Sequence, residues 1–494
     1  MDTNWAIYCD QFGYRRSSFE TSHNQDYGGY WRYPNCFAYS RGSTQCGIGS
    51  RLSVGSGSYP IEMYDWIPVI RAAFGLSALI LLCYGISERR DRIRWSLVGY
   101  GLALQIVLAI LILRVPFFHE ATRSVSWFFS KLVGFSNSSA AFVFGQLASD
   151  GTGAFGFAFN VLPTIIFFSA LSAILYYLRV LSLIVFVFAW LLNRSMRLSG
   201  AESLAAAANV FIGQTEAPLV IKPYLKSMNR SEVMALMTGG MATIAGGVLA
   251  VYMNVLGGGS DTETIAFGQH LLTASLLSAP AAMVVSKMLV PQVESLDANL
   301  AFPFDAASGG LLDAATRGTT DGIKLALNVG GMLLAFTGLV YLLNWMVSTG
   351  VGEWSGLNSW VVSVTDGRFE AFNFSFLLGV ASTPFAWLIG VAWEDCLIVG
   401  QLLGERLVLN EFISYLNLAE FQASGVFRDS RSAVIATYAL CGFANLTSVG
   451  IQIGGISTLE PSQRPNLLKL GLRSLFGGMV ACYMTAIIAS ALMT

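Results

Sequence analysis

Between Asn209 and Leu219 an otherwise apolar stretch carries Gln214, Thr215 and Glu216 side by side, with Gly213 before them and Pro218 after. Gln214 and Thr215 can donate to and accept from the edge of a polar ring, and Glu216 can accept from an N–H. A charge and freed backbone groups at membrane depth are tolerated only around a cavity or ligand, at a cost from about 3 kcal/mol upward. The competing reading is a loop at the membrane face whose polar groups sit in water. A second lone acid, Glu411, stands in Leu409-Asn410-Glu411-Phe412-Ile413-Ser414-Tyr415. A carboxylate accepts two hydroxyls at once, which suits a diol; an acid closing a helix end would look the same. Asn445 and Ser448 are three apart and so share a helical face, and Phe443 beside them could stack on or wall a planar ligand. Helix packing through small residues is the equal alternative there.

Chemistry of another kind is offered by Met237 to Val248, where Gly239-Gly240 and Gly246-Gly247 flank Thr243. The paired glycines permit a break whose carbonyls, with the Thr243 hydroxyl and the Asn209 amide, supply neutral oxygens suited to a small hard cation such as sodium. A close-packed glycine-rich helix face is the alternative. His23, His119 and His270 lack a second ligand at metal spacing, and the seven cysteines (9, 36, 46, 83, 396, 441 and 482) form no CxxC pair. Metal and redox cysteine chemistry are therefore not expected. Arg71 and Arg179 are expected to snorkel or pair near span ends.

The elements that must position these groups lie in a membrane. Of 494 residues 54% are apolar and 12% charged, about half the charge of a soluble domain. A net charge of -1 offers no basic surface for nucleic acid. The fold class expected is an all-α polytopic membrane protein of about eight spans: 66–86, 95–115, 156–191 (one long or two broken elements), 232–257, 267–290, 320–346, 430–456 and 467–493. An amphipathic stretch at 117–136 reads as an interfacial helix. Residues 200–228 and 392–422, broken by Gly, Pro and acids, read as re-entrant hairpins. Residues 1–62 have no helical or strand period and read as a disordered leader of no assigned function, with Met63 a plausible natural start.

The basic run from Arg89 to Arg94 puts the first loop in the cytoplasm and both termini outside. Arg194, Arg197, Lys222, Lys226, Arg230, Arg317, Lys324, Arg464, Lys469 and Arg473 then fall inside, and the acidic 258–269 loop outside. In that count the two hairpins enter from opposite sides. Gly240-Met241-Ala242-Thr243-Ile244 can also be laid against Gly442-Phe443-Ala444-Asn445-Leu446 in a span running the other way. Inverted repeats with interrupted helices mark a secondary transporter whose site lies where the breaks meet.

These motifs together resemble the concentrative nucleoside transporter family. The resemblance rests on Gly213-Gln214-Thr215-Glu216-Ala217-Pro218-Leu219 followed by Lys222-Pro223-Tyr224, on Asn410-Glu411-Phe412, on Ser430-Arg431-Ser432 and on Ala436 through Asn445, and it covers about 64–494. It implies that Gln214, Thr215 and Glu216 face the nucleobase, that Glu411, Asn445 and Ser448 hold the ribose, and that Phe443 lines the pocket, with base selectivity hanging on positions such as Val248. It implies a sodium site made by Asn209, the Ile212 carbonyl and Thr243. Some relatives show two hydroxyl residues where this chain has Thr243-Ile244, so one ligand there is a carbonyl at most. It further implies a homotrimer in which a transport domain slides like an elevator against a scaffold around the sixth span.

The expectation is therefore a symporter of the plasma or bacterial inner membrane that imports nucleosides on a sodium gradient, with no other cofactor. The expected parts are 63–155 (N-terminal helices), 156–290 (first repeat), 291–346 (scaffold) and 347–494 (second repeat). A proton-coupled symporter is the alternative coupling. A two-hairpin elevator for a carboxylate would offer its anion a cation, whereas both tips here offer glutamates. An intramembrane enzyme would show a nucleophile with its base, or a metal cluster, and a passive channel would not accumulate substrate.

Overall fold

A computed structural model describes residues 66–149, 157–294 and 310–493. The leader 1–62, with His23, Cys9, Cys36 and Cys46, lies outside the described residues, as do 295–309 of the expected scaffold segment. Among the described residues there are helices and no strands. Among the described residues six helices are long and apolar enough to cross a membrane, or seven if a bent pair is taken as one span.

The first two spans are α1 (Ile67–Ile86) and α2 (Trp95–Arg114). They are followed by α3 (Pro116–Phe144), which carries the expected amphipathic stretch and runs eight residues beyond its expected end. The expected span at 156–191 takes its two-element form. A π-turn at 157–161 leads into α4 (Leu162–Tyr177), and α5 (Val180–Met196) leaves it at 76°. No Gly or Pro marks that bend; the left-handed backbone of Arg179 makes it, at φ 61°.

Each repeat then presents a helix–turn–helix followed by a broken helix. The first comprises α6 (Gly200–Phe211), a return leg of two short turns at Ala217–Val220 and Lys222–Leu225, and the halves α7 (Arg230–Ala242) and α8 (Gly246–Gly257). Helix α9 (Asp261–Leu289) follows, so the expected loop at 258–269 shrinks to a three-residue turn. Asp261 and Glu263 sit in the first turn of α9, where the helix dipole favours acids. Helix α10 (Leu311–Val347) starts nine residues earlier than expected and packs along α4. Two helices the sequence reading omitted come next, α11 (Leu357–Val364) and α12 (Phe374–Leu388).

The second repeat is α13 (Cys396–Val408), α14 (Glu411–Ala423) and the halves α15 (Ser430–Leu440) and α16 (Leu446–Leu459), the last of the expected broken spans. Helix α17 (Arg464–Leu492) closes the chain. Arg71 takes the pairing alternative: its guanidinium donates to the carbonyls of Trp387, Gly390 and Val391, satisfying orphan groups at the end of α12.

Burial separates a core from a periphery. In α7–α8 and in α9, 78% and 89% of the apolar window is enclosed, against 6% for α10. One membrane face is also identified by contacts. Glu88 pairs with Arg230 and with Arg473, its N–H donates to the Leu289 carbonyl, and the Gln463 amide donates to Leu225 and Met228. The first loop, the base of the first helix–turn–helix and the start of α17 therefore share a face, as the basic residues suggest.

Candidate functional site

The site is built from helix ends. Thr243 is extended (φ -118°, ψ 164°) between α7 and α8, so the last carbonyls of α7 have no intrahelical partner. In the second repeat the chain is broken from Cys441 to Asn445, between α15 and α16. Gly442 lies at φ 150°, and a Cβ there would meet the Met241 carbonyl at 2.7 Å. The two breaks therefore touch backbone to backbone. Gly213, at φ 110°, brings the first tip against the first break in the same way: a Cβ on it would fall 2.6 Å from the Ala245 Cβ.

On this frame the expected residues fall into three groups. Asn445 is the N-cap of α16: its Oδ1 accepts from the Ser448 N–H at 2.7 Å while its Nδ2 donates to Glu411 Oε2 at 2.6 Å. An Asn cap holds a helix start by about 1 kcal/mol, so the backbone fixes the rotamer that meets Glu411. Asn410 caps α14 through the Ile413 N–H, which sets Glu411 in the first helical turn. The Ser448 hydroxyl accepts from Gln214 Nε2 at 3.1 Å, which joins the two repeats. Glu411, Asn445, Ser448 and Gln214 are all under 9% exposed.

Two further members of this group went unseen in the sequence. The Tyr252 hydroxyl donates to Glu411 Oε1 at 3.0 Å, and Gln452 Nε2 donates to Gln214 Oε1 at 2.9 Å. A signal existed for Gln452, which continues the face of Asn445 and Ser448 at four-residue spacing. For Tyr252 the only hint was a hydroxyl in an apolar half-helix.

The second group lines a cavity of about 370 Å3. Ile212, Glu216, Ala245, Gly247 and Val248 form one wall, and Tyr176 of α4 with Asp313, Arg317 and Asp321 of α10 stand opposite. The Thr215 hydroxyl donates to Glu216 Oε2 at 2.6 Å. Val248 thus lines the same cavity as Glu216, whereas Glu411, Asn445 and Ser448 are not among the cavity's lining residues. Gln214 is the link between the buried group and the tip that carries Glu216. Phe443 is half-buried beside the second break.

The third group is the expected cation site. The Thr243 hydroxyl donates to the Asn209 carbonyl at 3.1 Å and to Gly239 O at 2.9 Å. Asn209 Nδ2 donates weakly to Leu236 O at 3.4 Å, and its Oδ1 is buried without a partner. A buried amide oxygen with no hydrogen-bond partner beside a helix C-terminus is costly by itself and suits a hard cation. The residues therefore fit sodium by donor type. Ile212 follows α6 directly, in the tip that abuts the break. Of the remaining candidates, His270 Nδ1 lies 3.1 Å from the Tyr438 hydroxyl, and Cys83, Cys396, Cys441 and Cys482 are buried free thiols. Among the described residues no three His, Cys, Asp or Glu gather as a metal centre.

Models of one family match most of the chain: "Na+ dependent nucleoside transporter N-terminus" over 74–147, "Nucleoside recognition" over 158–259 and "Na+ dependent nucleoside transporter C-terminus" over 270–490. The chain is 37% identical, over 85% of its length and 97% of the relative's, to an uncharacterised transporter of Haemophilus influenzae. To the nucleoside permease of Helicobacter pylori it is 34% identical over 84% and 96%. The solved structure of CNTnw in an inward-facing substrate-bound state superposes with a TM-score of 0.75 at 33% identity, covering 86% of this chain and 99% of that one. A variant of CNTnw in an outward-facing state gives 0.77 at 34%, covering 86% and 98%. These matches cover nearly all of the chain beyond the leader, and the chain belongs to the concentrative nucleoside transporter family, whose members are transporters and not enzymes.

Proposed function

We propose that the chain imports nucleosides across a plasma or bacterial inner membrane, driven by a sodium gradient, with the 88–94 loop in the cytoplasm and both termini outside. The observation that carries this reading is the hydrogen-bonded chain Glu411–Asn445–Ser448–Gln214, which joins both repeats through groups that suit a hydroxylated, uncharged ligand. Glu411 accepts the ribose diol, with Asn445 and Ser448 turning from each other towards the sugar. Gln214, Thr215 and Glu216 take the edge of the base, Val248 and Phe443 wall it, and both tips present glutamates, which do not favour a carboxylate substrate.

Sodium is held by Asn209 Oδ1, the Ile212 carbonyl and Thr243, stitching the first tip to the broken span. The family's description as sodium-dependent supports that choice over protons. The cation forms this side of the site and nucleoside then binds across both repeats. The loaded core, neutralised, crosses against the scaffold around α10 of a homotrimer as an elevator, because an unpaired carboxylate makes half-loaded transit costly. The segments 63–155, 156–290, 291–346 and 347–494 then act as N-terminal helices, first repeat, scaffold and second repeat, with 1–62 a leader outside the transport unit.

The test is uptake of labelled uridine and adenosine into proteoliposomes under an inward sodium gradient or an inward proton gradient. Sodium-driven accumulation is expected. Accumulation on protons alone would overturn the sodium site and keep the substrate, and no uptake under either gradient would remove the substrate reading.

A further inference from the structure

The two repeats treat one position in opposite ways. Asn209 stands two residues before the end of α6 and reaches the Leu236 carbonyl of α7. Arg406 stands two residues before the end of α13, and its Nη1 donates to the Ala439 carbonyl in the last turn of α15. In the register that pairs Thr243 with Asn445, Ala439 is the counterpart of Met237, one residue from Leu236. The first repeat also sets the neutral Asn209 amide against the closing turn of its half-helix, where a Cβ on Gly239 would meet Asn209 Nδ2 at 3.2 Å and one on Gly240 would meet Oδ1 at 3.3 Å, and the second directs a guanidinium at the closing turn of its own.

Arg406 is 1% exposed, and among the described residues no carboxylate lies within ion-pair distance of it. Its Nη2 donates to Cys482 Sγ at 3.5 Å, and its Nε has no partner. The Cys482 thiol in turn reaches the Cys441 carbonyl at 2.9 Å and the Ala242 carbonyl at 3.5 Å, one in each break. Hydrogen bonding of this quality does not compensate a buried charge. What compensates it is negative potential: the orphan carbonyls that end α15 and the buried Glu411 carboxylate, which opens α14 just across the tip from the last turn of α13 that carries Arg406. The C-terminal end of an interrupted half-helix is also where a transporter of this architecture binds its coupling cation. The neighbouring acid Glu405 takes amide hydrogens from Gln401 and Asn417 and does not compete for Arg406.

We propose that Arg406 is a fixed cation occupying, in the second repeat, the place where the first repeat takes an exchangeable one. It is the internal counter-ion of Glu411, a positioning residue and not a ligand of the nucleoside, and it leaves a single coupling cation to move with each substrate. The proposal rests on the nucleoside and cation reading given above.

The experiment measures uridine binding to the purified protein by ligand-dependent thermal shift, and the ratio of charge to uridine moved in proteoliposomes. Arg406→Ala is expected to weaken uridine binding at least about tenfold, millimolar methylguanidinium to restore it, and neutral methylurea to leave it weak. Arg406→Lys is expected to keep most of the affinity, and the wild type to move one charge per uridine. Wild-type affinity in Arg406→Ala, equal rescue by methylurea, or two charges per uridine would each overturn the proposal while leaving the substrate reading intact. If Arg406→Ala fails to fold, Arg406→Gln replaces it, and equal affinity in the Gln and Lys variants overturns the proposal. A wild-type protein that binds no nucleoside would overturn this inference and the function together.

Discussion

Glu411 is held from two sides, by Asn445 and by Tyr252, and both partners remain hydrogen-bonded if the acid becomes an amide. Glu411→Gln should therefore leave the thermal stability of the protein within about 1 kcal/mol. It removes the charge that accepts two hydroxyls, and charge-assisted bonds contribute about 1.5–3 kcal/mol, so uptake at low nucleoside should fall by about tenfold to a hundredfold. Initial-rate uptake and a melting curve on the same preparation check both halves, and unchanged uptake would remove the ribose assignment. Motif residues such as Glu411 and Asn445 were legible because a lone polar group in an apolar run is conspicuous. Tyr252 and Arg406 were not, because what distinguishes them is a partner far along the chain, Tyr252 meeting Glu411 across 159 positions.

At the scale of elements, breaks were legible where glycine pairs announce them, as around Thr243, whereas Asn445, read as part of a helical face, turns out to cap the start of α16. The bend between α4 and α5 was legible only as the two-element alternative for 156–191, with nothing to place it, since a left-handed arginine rather than Gly or Pro makes it. Helices α11 and α12 were missed because they are too short to read as spans and Pro384 interrupts the longer one, which packs against α13 and α10. The contact between the first tip and the first break offers a test of the cation site that touches no ligand. Gly213→Ala must fit a methyl 2.6 Å from the Ala245 Cβ at a φ of 110°. Strain of that kind costs about 1–3 kcal/mol. The tip should lift from the break, raising the sodium concentration for half-maximal uridine uptake several-fold while the uridine affinity at saturating sodium changes less. A sodium dependence identical to the wild type would show that tip and break do not form the cation site together.

For the whole molecule, direction of transport depends on which face is which, and contacts define the two faces without naming their compartments. Glu88 gathers Arg230 and Arg473, so the face bearing the 88–94 loop concentrates positive charge, and positive charge stays cytoplasmic. The turn at 258–260 lies at the far end of α7–α8, a broken span that starts at Arg230 on the basic face. A cysteine placed at Ser260 should therefore react with a membrane-impermeant maleimide in intact cells, and one at Arg92 only after permeabilisation. Cys9, Cys36 and Cys46 must first be replaced by Ser to silence the leader. Cys83, Cys396, Cys441 and Cys482 are buried and give little background. The opposite labelling pattern would invert the chain in the membrane. The helix–turn–helix at 200–225 would then be based at the outer face, and the inward direction of sodium-driven uptake would have to be carried by the second repeat's tip instead of the first.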